Sequence, residues 1–242
     1  MKSKSHLIIG TLSAVELSLA MGLSLTPITV SVAAFLSVAP DIDEANSNVL
    51  NMLISKKATK RIHSFLIYSL LIFCFYLYMK TSSNIYIGII ISFLFITIIE
   101  KKVTANKVRS LVLSGLIGLI ALIMLFYKVN IGVVVLTFLI ASFPIMSHRS
   151  FTHSLLIILL IYLLLSYIER TLNVNDLAII GTFAYSTHLM CDIITKRGIP
   201  LFYPFSKKYF SLGNLRVGYF MCNFVEILVI FLLFLAILFH FA

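Results

Sequence analysis

The chain has 242 residues, 60% of them hydrophobic and only 12% charged, with a mean hydropathy of +1.07. A soluble domain is about a quarter charged, so these figures exclude an ordinary soluble enzyme and indicate a polytopic membrane protein. The net charge of +10 would suit a nucleic-acid binder, but the basic residues lie in short clusters between apolar runs, as membrane topology produces, and no nucleic-acid partner is expected.

In chain order there are nine apolar segments, at 7–25, 28–39, 65–79, 85–99, 109–127, 131–147, 154–168, 177–191 and 220–241. Each is expected to be helical, because an isolated strand leaves its backbone unsatisfied in lipid. The fold class is therefore all-α, a membrane helical bundle forming one integral-membrane domain over 1–242. Several segments fall short of the roughly 20 residues of a full span. The first begins behind Lys2 and Lys4 and carries Glu16, with no small-residue cleavage site, so it is expected to stay in the mature chain. The second is bounded by Pro27 and Pro40. Cys74, Cys191 and Cys222 show no paired spacing and read as small buried apolar residues.

Residues 193–219 differ in texture. Gly198, Pro200, Pro204, Gly213 and Gly218 alternate with Lys196, Arg197, Lys207, Lys208 and Arg216, and aromatic residues such as Phe202, Phe205 and Tyr209 are interleaved. This reads as an interfacial loop, its aromatics at headgroup depth and its bases against anionic lipid headgroups.

Charge orients the bundle. With a cytoplasmic N-terminus and nine crossings, only Lys80, Lys128 and Arg170 of the 19 basic residues fall on the far side, leaving 16 in the cytoplasm. That is the positive-inside pattern of a bacterial cytoplasmic (inner) membrane protein. The same arrangement puts His6, Asp41, Asp43, His63, His148, His153, His188 and Asp192 at the cytoplasmic face; of the six histidines, only His240 lies elsewhere.

Imidazoles and carboxylates in this density are what a divalent metal needs. His188 and Asp192 are four apart, one turn along a single helix face. The same pair could simply share a hydrogen bond at a helix end. Asp41 and Asp43, after Pro40, can aim two carboxylates at one cation as ligand, bridge or general base, or mark a solvated helix end. His148, Arg149 and His153 form HRxxxH, in which the guanidinium offers a planar fork for phosphate; a boundary loop with a positive-inside arginine is the plainer reading. His6 and His63 are lone histidines beside basic residues. Glu226, two turns into the last segment, is a candidate because burying a carboxylate in a membrane is costly, and Glu16 shares that status.

Three stretches carry a resemblance: PDID at Pro40–Asp43, HRSFTHSLL at His148–Leu156, and AYSTHLMCDIITKRGIPLFYPF at Ala184–Phe205. Together with the early His6, they resemble the YdjM-like, membrane-bound metal-dependent hydrolases of bacteria, whose pattern continues on Thr195, Gly198, Leu201 and Pro204. The family carries Gly before the HR pair and often after it, where this chain has Ser147 and Ser150. The His/Asp pattern is similar to that of zinc-dependent phospholipase C and nuclease enzymes. The resemblance implies hydrolysis of a phosphoester, with an amphiphilic substrate such as a phospholipid given a site at headgroup level.

On this reading His6, His148, His153, His188, Asp192 and Glu226 are metal ligands. Asp41 and Asp43 are ligands or the base, and Arg149, with Arg197, stabilises the anionic transition state. Zinc suits the donor set, as do manganese and iron. A metal or proton transporter, which Glu16 and Glu226 would serve, and a non-catalytic membrane protein with a structural metal are the alternatives.

Overall fold

The computed structural model describes residues 2–44, 55–81 and 85–241. Among them are nine α-helices: α1 (Ser3–Met21), α2 (Pro27–Val38), α3 (Lys56–Thr81), α4 (Ile85–Lys102), α5 (Ala105–Phe126), α6 (Ile131–Ser142), α7 (Leu155–Leu172), α8 (Leu177–Ile193) and α9 (Phe220–Phe239). Each apolar segment of the sequence lies on one of them, so the all-α class holds.

Nine crossings do not follow. By length and apolar composition only Lys57–Lys80, Ala105–Phe126, Leu155–Leu172 and Phe220–Phe239 qualify as spans among the described residues. Of the other helices, α2, α6 and α8 are shorter and α1 is interrupted by charge; α1, α2 and α8 pack on one another instead. An apolar run signals burial in any apolar medium, and neighbouring helices supply it as well as lipid does.

Helix ends are set by local chemistry. Thr26 and Thr29 form a reciprocal cap at the start of α2, with Pro27 at its first position. Gly22 ends α1 in the left-handed conformation, at φ +66°. Pro144, lacking an N–H, converts the end of α6 into a 3₁₀ turn over Phe143–Ile145. Ser154 caps α7 by accepting the Ile157 N–H. The start of α3 overruns its apolar segment, because Lys57, Lys60 and Arg61 can extend their charges away from a helical backbone.

The core gathers around α8. On α7, Ile157, Ile161, Leu165 and Ile168 form a buried stripe at helical spacing, while Leu155, Leu159 and Leu163 face outward. Both faces are apolar, as expected where one meets protein and the other lipid. Small residues let α1, α2 and α8 approach: Ala14, Ala33 and Ala184 pack together. A Cβ on Gly10 would collide with Cβ of Ser37, and one on Gly181 would come within 2.7 Å of Leu165 Cδ1 and 3.1 Å of Leu36 Cδ1.

The chain runs up and down, so alternate helix ends share one face. The start of α1 meets the start of α9 where Ser5 donates to Glu226. His63 near the start of α3 bonds the Val103 carbonyl, just after α4 and just before α5. At the opposite end His240 lies 3.1 Å from Glu16, and the Asp176 carboxylate accepts the Ser24 N–H at 2.7 Å. Residues 193–219 are more than a strap. Ile199 and Phe210 exchange both backbone hydrogen bonds, Ile199 is buried, and the Leu201 carbonyl accepts the Leu155 N–H at 2.8 Å. The segment is a folded cap fixed to the start of α7, with Phe205, Leu212 and Tyr219 exposed on it.

Candidate metal centre

The polar breaks converge on the buried side of this cap. Asp41 and Asp43 lie on a buried 3₁₀ turn, Ala39–Asp43, that continues α2. They are 6% and 5% exposed, which rules out a solvated helix end. His6 comes from the start of α1, His188 and Asp192 from the end of α8, and His153 from a 3₁₀ turn, Phe151–His153, before α7. His6, His153 and His188 are 1% exposed or less.

His6, His188 and Asp192 each offer a ligand atom within 4.8 Å of the others. His6 Nε2 is 3.5 Å from Asp192 Oδ1, His153 Nε2 is 3.4 Å from Asp192 Oδ2, and His188 Nε2 is 3.6 Å from Asp41 Oδ1. The His6 and His188 rings stack with centroids 3.8 Å apart. Nδ1 of His6 is buried without a hydrogen-bond partner, and Nε2 of His6, His153 and His188 are buried with only those carboxylate oxygens facing them, at 3.4–3.6 Å. A buried ring nitrogen left without a close hydrogen bond costs about 1–3 kcal/mol where nothing compensates it. A divalent cation bound by one nitrogen of each ring and by the facing carboxylates would satisfy those atoms, so the residues present fit a metal.

The other ring nitrogens are held as metal ligands require. His188 Nδ1 lies 2.8 Å from the Ser37 carbonyl. That oxygen is in the last turn of α2, where carbonyls lack helical partners. A donated Nδ1–H leaves the lone pair on Nε2. His153 Nδ1 lies 2.9 Å from the Thr152 hydroxyl and 3.6 Å from Asp43 Oδ2.

Asp43 is a hub. Its Oδ1 lies 2.6 Å from His148 Nδ1, and its Oδ2 accepts the Thr152 hydroxyl and, at 3.3 Å, the Arg149 N–H. Burial alone would raise its pKa, but the bonds and charges of His148 and His153 hold it well below the ordinary carboxylate range. For His153 burial works downward, and bonding to Asp192 and Asp43 overrides it, raising the imidazole to about 9.

His148 shares Asp43 with His153 but stands apart from the His6–His188–Asp192 group, and it lines a cavity of about 590 Å³. Arg149 has φ +56°, and Ser150 closes its turn by donating to the Ser147 carbonyl at 2.5 Å. The serines that replace the glycines of the family pattern are thus accommodated, with Arg149 itself taking the left-handed position. Its guanidinium bonds Asp192 at 2.9 Å and the Gly198 carbonyl at 2.8 Å. Arg149 also lines the cavity, together with Asp41, Asp192, Lys196, Arg197 and Arg216.

Glu226 is not brought into the group. Its carboxylate is bonded by Ser5 and by Cys222 Sγ at 3.4 Å. Two participants were not singled out from sequence. Thr152 joins Asp43 to His153, and Tyr185 donates its hydroxyl to the Thr152 carbonyl at 2.6 Å. Thr152 stands inside HRSFTH, and Tyr185 precedes His188 by three residues on one helix face, which is the signal that could have found it.

A helical bundle with several membrane-length apolar helices and a buried histidine–aspartate centre at one end is an integral membrane protein with a candidate metal site. The chain belongs to the YdjM inner membrane protein family, whose model matches residues 1–242. Comparisons with curated proteins and with solved structures gave no match.

Proposed function

We propose that this protein is a membrane-bound metal-dependent hydrolase of phosphoesters, a single-domain enzyme whose active site opens at the cytoplasmic headgroup level. The observation that carries the reading is the set of buried imidazole nitrogens facing Asp41 and Asp192 at 3.4–3.6 Å beside a basic cavity. His6, His153, His188 and Asp192 hold the ion, zinc being the best match to the donors and manganese or iron also suited. A divalent ion there would activate a water and polarise the phosphoryl oxygen.

The chain's own residues do the rest. Asp41 faces both His188 and the cavity, the place for a carboxylate that takes the proton of the attacking water. Asp43, with both oxygens engaged, positions His148 and His153. His148 touches the cavity, placed to donate a proton to the leaving oxygen as the P–O bond breaks. Arg149 fixes Asp192, and Lys196, Arg197 and Arg216 supply positive charge for the phosphate. The exposed aromatics and bases of residues 193–219 rest on anionic lipid headgroups. The transporter alternative loses support from the pairing of Glu16 with His240 at the far end of the bundle.

The test is metal analysis joined to turnover on purified protein. Wild type carries stoichiometric transition metal, and His188→Ala and Asp192→Asn lose it. Asp41→Asn and His148→Ala keep most of the metal while hydrolysis of a phosphodiester falls about 10²–10⁴-fold. A protein that binds metal and hydrolyses no phosphoester would leave the structural-metal reading in possession.

A further inference from the structure

A second cavity, of about 530 Å³, lies on the other side of His148. Both volumes fall in the range of small-molecule sites, about 300–1,000 Å³. Their walls differ. The first carries Arg149, Lys196, Arg197 and Arg216 beside the candidate metal ligands. The second has Ser110 and Leu111 of α5 on one wall and Pro144, Ile145 and Met146 of the turn after α6 on the other, with Asp43, Asn106 and Lys107 also lining it, so it has an apolar side but is not free of charge. His148 lines both.

The second cavity meets the lipid side of the molecule. α5 is long and apolar enough to cross a membrane. Leu111, in its second turn, is 61% exposed, and Ile145 across from it is 56% exposed. These apolar side chains stand at the end of the bundle where the polar site lies, so lipid chains reach the cavity from the side. A strongly basic pocket and a neighbouring pocket with an apolar side of Leu111, Pro144, Ile145 and Met146, both lined by His148, match one molecule with a phosphate at one end and a hydrocarbon chain at the other. Each half has its own solvent to leave: the phosphate trades water for guanidinium groups, and the chain trades lipid for side-chain contacts, so the phosphate supplies the preference.

We infer that the substrate is a membrane-resident phosphate ester that straddles His148. Its phosphate lies among Arg149, Arg197 and Arg216, and its acyl chain lies in the cavity between α5 and residues 143–147, entered sideways from the bilayer. The inference rests on the hydrolase reading for the fate of the phosphate but makes its own claim about where the chain sits.

The test uses the purified full-length protein in phosphatidylcholine vesicles. One probe is the non-hydrolysable phosphonate analogue of phosphatidic acid (hereafter phosphatidic acid) with a photoactivatable diazirine in its acyl chain, and the other is diacylglycerol with the same chain. Labelled residues are mapped by mass spectrometry. Phosphatidic acid should label Leu111, Ile145 and Met146 about tenfold more than diacylglycerol, the ratio that about 1.4 kcal/mol of preference gives. Arg197→Ala combined with Arg216→Ala should reduce that labelling to the diacylglycerol level. Ser110→Trp, which fills the second cavity, should reduce it with metal content unchanged; Ser110→Leu serves if the larger residue costs metal. Equal labelling by the two probes, or phosphatidic acid labelling that the double arginine variant leaves intact, overturns the inference. Hydrolysis of bis(4-nitrophenyl) phosphate by the same protein separates the two claims. If it persists without the labelling pattern, the straddling substrate falls and the hydrolase stands. If the pattern holds without hydrolysis of any phosphoester, the hydrolase falls and the seat for a phosphate-bearing amphiphile stands.

Discussion

His153 sits between Asp43 and Asp192, and in metal-free protein those two carboxylates keep a proton on it up to about pH 9. A ring that binds a cation must first give that proton up. Metal uptake therefore competes with protonation, and affinity should rise with pH below about 9. Calorimetry in buffers of different protonation enthalpy should count about one proton released per ion bound near neutral pH. Uptake with no proton release would remove His153 from the ligand set. Stability runs the other way without metal. A folded-state pKa raised from 6.5 to about 9 gives a contribution that is full below 6.5 and lost as pH rises through about 9. Metal-free protein should melt at lower temperature as pH passes that point, and metal-loaded protein should not follow it. These residues were legible in the sequence because imidazoles and carboxylates are rare in so apolar a chain. Their division of labour was not. Nothing in PDID says that Asp41 faces His188 while Asp43 is consumed by His148, Thr152 and Arg149. Partners of that kind come from the meeting of distant elements, and the Ser37 carbonyl that fixes His188 has no side chain to announce it.

At the scale of helices, the site depends on how closely α1, α2 and α8 approach. Gly10 lies one turn from His6, and its missing Cβ is where Ser37 packs; Ser37 in turn offers its carbonyl to His188. Gly10→Val would push α1 away from α2, at a cost of about 1–3 kcal/mol for overpacking. The larger effect should be on His6, which moves with α1. Metal content is expected to fall while the helical circular dichroism signal persists, and Gly10→Ala should lie between wild type and Gly10→Val. If Gly10→Val keeps full metal, the close approach is not what sets the site. The apolar runs marked the helices but not this packing, because Gly, Ala and Ser count as weak signals in an apolar run although they decide which helices touch. For the same reason the short segments, α2 and α8 among them, read as candidate crossings, whereas helix neighbours, not lipid, cover much of their surface.

At the scale of the whole molecule, helix ends alternate between two faces. The metal centre, the cap of residues 193–219 and the starts of α1, α5, α7 and α9 share one face; Glu16, His240, Asp176 and the ends of α1, α7 and α9 mark the other. Lys80 ends α3, Lys128 lies just beyond α5, and Arg170 is in the last turn of α7, so the three basic residues on the far side agree with the alternation. The remaining 16 of 19 belong to the site end or its approaches, and the positive-inside rule predicts that this end faces the cytoplasm. A membrane holding the four long helices fixes the others by packing, so the argument does not need nine independent spans. Single cysteines at Lys57 and Lys128, in a background where Cys74, Cys191 and Cys222 are replaced by alanine, should react oppositely with a membrane-impermeant maleimide. Added to intact cells whose outer envelope has been removed, the reagent should modify position 128 and spare position 57; inside-out vesicles should reverse the two. Modification of both from the same side would break the alternation. Reversed labelling in intact cells would keep the alternation and place the metal centre on the outer face, where the substrate would have to be an outer-leaflet phosphoester.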